Sequence, residues 1–494
     1  MCSSDLYDLP DVPNVGKRIV RSIDPNNFAP RVGFAYSPFD SGRLVVRGGY
    51  GVFYSRISMT HLAIAIQLPP NYVVGRRTNP PFATPFFAAP SSDKFPTFVP
   101  GIDLATPIYD RNLRTPYFHQ YNASVQYALR KDLVVEVAYV GSRGVNLLRN
   151  VGINQARLAS PQQPIINDVT GAMITTNTPT NAQLRAPFQG VALSSAGNSA
   201  LPGFGQTQTT AQSTYNSMQI SATQRLSKGL QFLAAYTFSK SIDNSSGGAI
   251  GSTGIDTGPI LGNQLDNRAN RGVSNFDRTH RFVLSYLWDL PRPAMAARST
   301  AGRLLFSNWQ VAGIITAISA LPIDIVDSNA GSLYLGSNNG LSRPSWTPGA
   351  TRSTATSNIP AGYFFNPFAF ARPTIQAGQV IPSSNGTATA AATGTDFGNV
   401  GRNVLQGPRQ TNVDFSVLKR FRFAESKNIE FRAEFFNLFN HVNFANPISN
   451  LNAFASSGGS IDANGRIIAP GDFGRITSTS NNPRLIQFAI KFNF

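Results

Sequence analysis

The sequence predicts an all-β fold: a transmembrane antiparallel up-and-down β-barrel wall of about eleven strands with long extracellular loops. Three observations carry this. The last ten residues alternate, with Ile486, Phe488, Ile490, Phe492 and Phe494 on one face and Leu485, Gln487, Ala489, Lys491 and Asn493 on the other. Ten earlier runs repeat that period of two, the period of a strand. The connections between runs alternate between short turns and very long segments. A strand of about ten residues rising roughly 3.4 Å each and tilted about 45° covers roughly 24 Å, close to the apolar band of an outer-membrane barrel.

The runs come in order and in pairs. Val32, Phe34 and Tyr36 lead through PFDSGR (38–43) to Val46, Tyr50, Val52 and Tyr54. Tyr121, Ala123, Val125, Tyr127 and Leu129 turn at Arg130-Lys131-Asp132 into Leu133, Val135, Val137 and Tyr139. Met218, Ile220 and Ala222 turn at Ser227-Lys228-Gly229 into Phe232, Ala234, Tyr236 and Phe238. Phe282, Leu284, Tyr286 and Trp288 reach Trp309, Val311 and Ile315 through a longer link that carries proline. Val413, Phe415 and Val417 pass a turn near 423–427 into Ile429, Phe431, Ala433 and Phe435, and the terminal run is the eleventh.

The alternate positions are mostly polar. They hold Arg47, Glu136, Gln219, Ser221, Thr223, Arg225, Ser285, Asp289, Gln310, Asn412, Asp414, Ser416, Glu430, Arg432 and Glu434. Apolar outside and polar inside is the dyad of a barrel with a wet interior. A soluble sandwich also alternates, so two further features decide. Aromatic residues crowd the strand ends as an interfacial girdle does. The long connections, near 56–114, 149–212, 243–277, 328–410 and 441–483, exceed what an ordinary soluble domain carries. If Phe494 ends in the periplasm, every short turn falls on the periplasmic side and every long connection outside.

Composition agrees. Charged residues make up 14% of 494, aromatics 11% with 35 Phe, and 42 Gly and 34 Pro favour strands and loops over helices. The most apolar stretch, Val311 to Leu321, is short, contains Thr316 and Ser319, and meets Pro322, so no transmembrane helix is expected. The net charge of +17 does not indicate nucleic acid. Its basic residues are scattered, and the densest group is only Lys419, Arg420 and Arg422. Loop and wall charge, or attraction to anionic lipopolysaccharide and solutes, accounts for it. Cys2 is the only cysteine, so there is no disulfide framework. The opening MCSSDL (1–6) looks like a translated sequencing scar and lacks signal-peptide character, so residues 1–29 are read as a truncated end and 30–494 as the barrel part.

RVGFAYSPFDSGRLVVRGGYGVFYSR, PYFHQYNASVQYALRKDLVVEVAYVGSRGVNLLR and YNSMQISATQRLSKGLQFLAAYTFSKSID resemble the barrel of Oar-like TonB-dependent outer-membrane transporters. So do NFDRTHRFVLSYLWDLP, NWQVAGIITAISALPIDI, IEFRAEFFNLFNHVNF and the closing FGRITSTSNNPRLIQFAIKFNF. The resemblance implies a barrel of about 22 strands, of which these would be the C-terminal half. It implies energised uptake of a large or scarce solute and contact with TonB through an upstream segment, with a plug and a carboxypeptidase-regulatory-like domain. None of those upstream parts is visible in this sequence. It also implies that Phe492 and Phe494 present the closing strand to the barrel-assembly machinery. Half a barrel has two open edges, which lipid does not tolerate, so this stretch alone is not expected to form a stable pore.

No catalytic or cofactor constellation emerges, and no enzyme is expected. His61, His119, His280 and His441 are far apart and lack metal-ligand spacing. His280 in DRTHR (277–281) reads as a strand-end cluster with Asp277 and Arg281. GFGQTQ (203–208) lacks the last glycine of a dinucleotide loop. Asp256, Asn263, Asp266 and Asn267 gather oxygen in 254–272 without EF-hand spacing and read as an ordinary loop. Glu430, Arg432 and Glu434, with Asp414 and Arg420 on the preceding strand, read as cross-strand pairing on a wet wall, or as a contact surface for a plug or solute. FFNLFNH (435–441) breaks the alternation at Asn437 and Leu438 and reads as a strand rim where a bulge redirects the chain. The leading functional expectation is a transporter barrel in the bacterial outer membrane. The alternatives are a surface adhesin binding partners through its loops and a soluble secreted sandwich.

Overall fold

The computed structural model describes residues 26–57, 108–110 and 112–494, except 160, 168–169, 179, 188–193, 196–197, 203–204, 247–260, 265, 267, 295–298, 329, 332–333, 335–341, 374–379, 384–385, 390–396 and 423–426. Eleven long strands form one antiparallel ribbon in chain order. They are β1 Arg31–Tyr36, β2 Leu44–Tyr54, β3 Tyr117–Ala128, β4 Leu133–Gly152, β5 Gly205–Ser227 and β6 Leu230–Asp243. Then come β7 His280–Asp289, β8 Trp309–Ile318, β9 Gln410–Arg422, β10 Asn428–Phe436 and β11 Leu485–Asn493. The ribbon is open: β1 and β11 are its two ends.

Register turns the period of two into two faces, because directly paired residues share a face. One continuous row runs Tyr36, Val46, Val125, Val137, Ile220, Tyr236 and Phe282. A second runs Leu230, Trp288, Val311, Val417, Ala433 and Phe488. The opposite face carries Arg47, Ser124, Ala138, Gln219, Thr237 and Arg281 in one row. That face is less uniformly polar than the alternation in sequence implies. Leu233, Val283, Ile314 and Leu418 lie on it by register, opposite Thr223, Thr316, Asp414 and Arg432.

Turn chemistry sets the pairing. In the tight β5–β6 connection both Lys228 and Gly229 have positive φ, at 50° and 80°. That conformation matches the twist of a two-residue hairpin. On the apolar face, the Tyr286 ring lies over Gly313 and the Tyr121 ring over Gly141, where a Cβ would meet the ring at 3.0 and 2.0 Å. An aromatic laid across a neighbouring strand's glycine covers bare backbone and fixes register.

One expectation changes. The connection placed at 149–212 is shorter than expected at both ends, because β4 and β5 stay paired out to Gly152 and Gly205, past two register shifts. At 20 and 23 residues these strands exceed the 9–11 or so that a bilayer needs, so the hairpin extends beyond it. Its upper part is sustained by polar pairing in GQTQTTAQST rather than by apolar alternation, so no apolar period marks it in the sequence. The described parts of the β8–β9 and β10–β11 connections fold together. Residues from 323 to 473 on both share one core built on Ile325, Phe365, Phe370, Leu405, Leu451 and Phe473.

Candidate functional site

The charged wall on β9 and β10 is built by register. Arg420 lies opposite Glu430, and Leu418 opposite Arg432. Arg420 Nε is 3.1 Å from Glu430 Oε2, while Arg432 Nη2 reaches Glu430 Oε1 at 2.8 Å and its Nη1 lies 3.5 Å from Glu434. Four alternating charges thus form one ladder on the polar face. Lys491 on β11 extends it, directly across from Glu430.

Asp414 stands apart from this ladder. Its Oδ1 accepts from the Asn437 backbone N–H and from Asn412 Nδ2, both at 2.9 Å. Asn437 has φ +53° and caps the rim, its Oδ1 accepting the His441 N–H at 2.8 Å. The break in FFNLFNH is therefore a carboxylate-held strand end, and Phe439 projects at 73% exposure. The other sequence-derived wall residues are spread out. Arg47 Nη1 donates to Gln126 Oε1 at 2.6 Å, and Gln126 lies opposite Glu136. Arg225 sits in the irregular end of β5, where its N–H donates to the Asp132 carbonyl. The structure thus joins Glu430, Arg432 and Glu434 with Arg420, places Arg47's partner Gln126 opposite Glu136, sets Asp414 within β9 where it holds the end of β10, and leaves Arg225 near the end of β5.

His280 does not join Asp277 and Arg281. Its Nδ1 shares a 2.8 Å hydrogen bond with Tyr236 Oη on the apolar face. The same arrangement recurs at Tyr50 and His119, also at 2.8 Å. Asp277 instead takes the Ser241 N–H at 2.6 Å and Lys240 Nζ at 3.2 Å. In the oxygen-rich loop, Asp266 Oδ1 caps the backbone of Arg268 and Ala269, while Asp256 and Asn267 lie outside the described residues. His61 and the 423–426 turn also lie outside them. No group of three metal-ligating side chains occurs among the described residues.

At the other end of the strands the connections form a platform tied by arginines that sequence reading did not single out. Arg343 grips Asp324 with two 2.9 Å bonds, and Arg372 grips Asp327 at 2.9 and 3.0 Å. Arg402 Nη1 meets Asp243 at the top of β6 at 2.6 Å and also donates to the Asn270 carbonyl. The bidentate fork suits a carboxylate and fixes its orientation. Arg185 is buried among carbonyls and Asn181, and burial pushes its guanidinium down to about 10, with Tyr334 opposing. The partners of Arg343, Arg372 and Arg402 lie 19, 45 and 159 positions away, so no local motif marks them.

With that geometry in place, the comparisons are specific about class. A family model described as an outer membrane beta barrel domain matches residues 7–487, so the chain belongs to that family. The protein is a β-barrel protein of the bacterial outer membrane. Similar solved structures include the outer membrane transporter YddB from Escherichia coli, at 10% identity and a TM-score of 0.41, covering 94% of this chain and 40% of that one. They also include the ferric-catecholate import receptor Fiu from E. coli K12, at 10% identity, a TM-score of 0.34, and 94% and 34% coverage. A third is BauA, the ferric preacinetobactin receptor from Acinetobacter baumannii, at 10% identity, a TM-score of 0.34, and 94% and 36% coverage. The chain spans about two fifths or less of the length of these proteins. No curated protein sequence matches it.

Proposed function

We propose that this chain forms the C-terminal wall of a TonB-dependent transporter of the Oar-like kind, which takes up a large or scarce solute across the outer membrane. The observation that carries this reading is the division of one ribbon into two solvents. Row after row of Val, Ile, Phe and Tyr lies on one face, and the Arg420–Glu430–Arg432–Glu434 ladder lies on the other. Hydrocarbon suits the first face, and a water-filled lumen suits a charged ladder that is only partly buried. Arg47, Glu136, Arg225 and Asp414 belong to the same lumen side in this reading. The arginine-tied platform, on the extracellular side, would set specificity.

Lipid and lipopolysaccharide surround the wall, TonB engages an upstream segment, and no nucleic acid is involved. Phe492 and Phe494 offer the closing strand to the assembly machinery, so Phe494→Ala should lower the amount of heat-modifiable protein in outer membranes. The main test is uptake. A strain lacking the gene should lose accumulation of a solute that the complete gene restores, and collapsing the proton-motive force or removing TonB should abolish it. Restored surface adhesion without uptake would replace this reading with an adhesin.

A further inference from the structure

Four of the five short-turn-side connections are tight, while the one between β7 and β8 runs from 290 to 308. It contains a helix, α1, Thr300–Phe306, started by Ser299, whose Oγ accepts the Gly302 N–H at 2.9 Å. Its three largest apolar side chains are uncovered: Leu304, Leu305 and Phe306 are 47%, 58% and 48% exposed. Between Asp289 and Trp309 the sequence has arginines and no acid.

Which side of the ribbon the helix lies on follows from its tethers. Trp309, Lys419, Phe431 and Ile490 form one row, in the register of the apolar face. Trp309 Nε1 donates to the Leu305 carbonyl at 2.7 Å, and Lys419 Nζ donates to the Ser307 carbonyl. The ammonium also sits 5.2 Å from the Trp309 ring centroid and 5.1 Å from that of Phe421. A lysine on a lipid-side row is costly at mid-depth but acceptable near an interface, where its head finds polar partners. Lys419 lies three residues from the end of β9, roughly 10 Å from the turn. Both tethers hold free carbonyls at the C-terminal end of α1, where a cation is favoured. The helix is thereby fixed to the apolar side, away from the polar wall.

We infer that α1 is an interfacial anchor: Leu304, Leu305 and Phe306 enter the acyl boundary of the phospholipid leaflet on the short-turn side, and Arg303 meets lipid phosphate. This rests on the apolar face meeting hydrocarbon. The occupant is lipid because the exposed residues continue a surface already committed to it, and a basic, acid-free segment with uncovered apolar side chains is what anionic headgroups attract.

The test uses the complete protein with Cys2→Ser, reconstituted in phosphatidylethanolamine–phosphatidylglycerol vesicles, with spin labels placed singly by Leu305→Cys, Phe488→Cys, Gln487→Cys and Asp40→Cys. The label at 305 should favour oxygen over a polar nickel probe, as at 488, whereas 40 should favour nickel. Adding Lys419→Gln should loosen the label at 305 and leave 488 unchanged. A water-exposed 305 beside a lipid-exposed 488 overturns the anchor and spares the barrel reading. A 305 label inaccessible to both probes means protein covers the helix, which also overturns it. A water-exposed 488 with a lipid-exposed 487 overturns the barrel reading itself.

Discussion

Phenylalanine does opposite things in two regions of this molecule. On the ribbon, Phe488 and Phe492 are 66% and 65% exposed, yet in the platform Phe370 and Phe473 are fully buried. The platform Phe370 stacks on Trp346 at 5.0 Å and meets Phe365 and Phe473 edge-on, an ordinary close-packed core. The ribbon has no such core, since each strand spends its apolar face outward. Two regions of one chain thus satisfy the hydrophobic effect differently, one by packing against itself and one by leaving the task to lipid.

That contrast can be broken by substitution. Phe370→Ala should cost the platform about 3–5 kcal/mol, the usual range for removing a buried aromatic. Protease digestion of the embedded protein should then cut within 323–405 and 451–473 first, while the strands stay heat-modifiable. Simultaneous loss of both would show that platform and ribbon are one cooperative unit. Next, Phe488→Arg should destabilise by about 2–4 kcal/mol if that position sits near mid-bilayer, and Gln487→Arg by well under about 1 kcal/mol. Urea-induced unfolding in vesicles reads both, and equal penalties would erase the distinction between the faces. Glu430→Gln should have a smaller effect, at most about 1 kcal/mol, because Arg420 and Arg432 are 37% and 43% exposed and water screens the ladder.

The smallest effect concerns the β3–β4 turn. Hydrogen bonds from Ser227 and then Gln224 hold the Asp132 carboxyl below its ordinary value. A depressed folded-state value stabilises the turn above the unfolded carboxylate range, and that contribution disappears as pH falls through the folded value. Acid titration of turn accessibility should show this limb, and Asp132→Asn should flatten it.

The strand ribbon was legible because alternation is a local signal: all eleven runs, from Val32–Tyr36 to Leu485–Asn493, appear in the expected order. The charged ladder was legible for the same reason, since Glu430, Arg432 and Glu434 sit two apart on one strand. His280 was misread because its partner, Tyr236, is a cross-strand neighbour on the apolar face, whereas Asp277 is only a sequence neighbour. The partner of Asp414 was not legible, because it is the backbone of Asn437, a bond that exists only after the chain turns.

Sequence by itself determined which residues share a face, where the turns fall and that the chain suits an outer membrane, because a two-residue period and a tight turn are written within a few neighbouring positions. Tertiary structure alone decided that Arg402 closes on Asp243, that two distant connections share a core around Phe370, and that α1 hangs from Trp309 and Lys419. Those contacts join segments whose separation along the chain leaves no periodic trace, and they form only when the ribbon has brought its strand ends together.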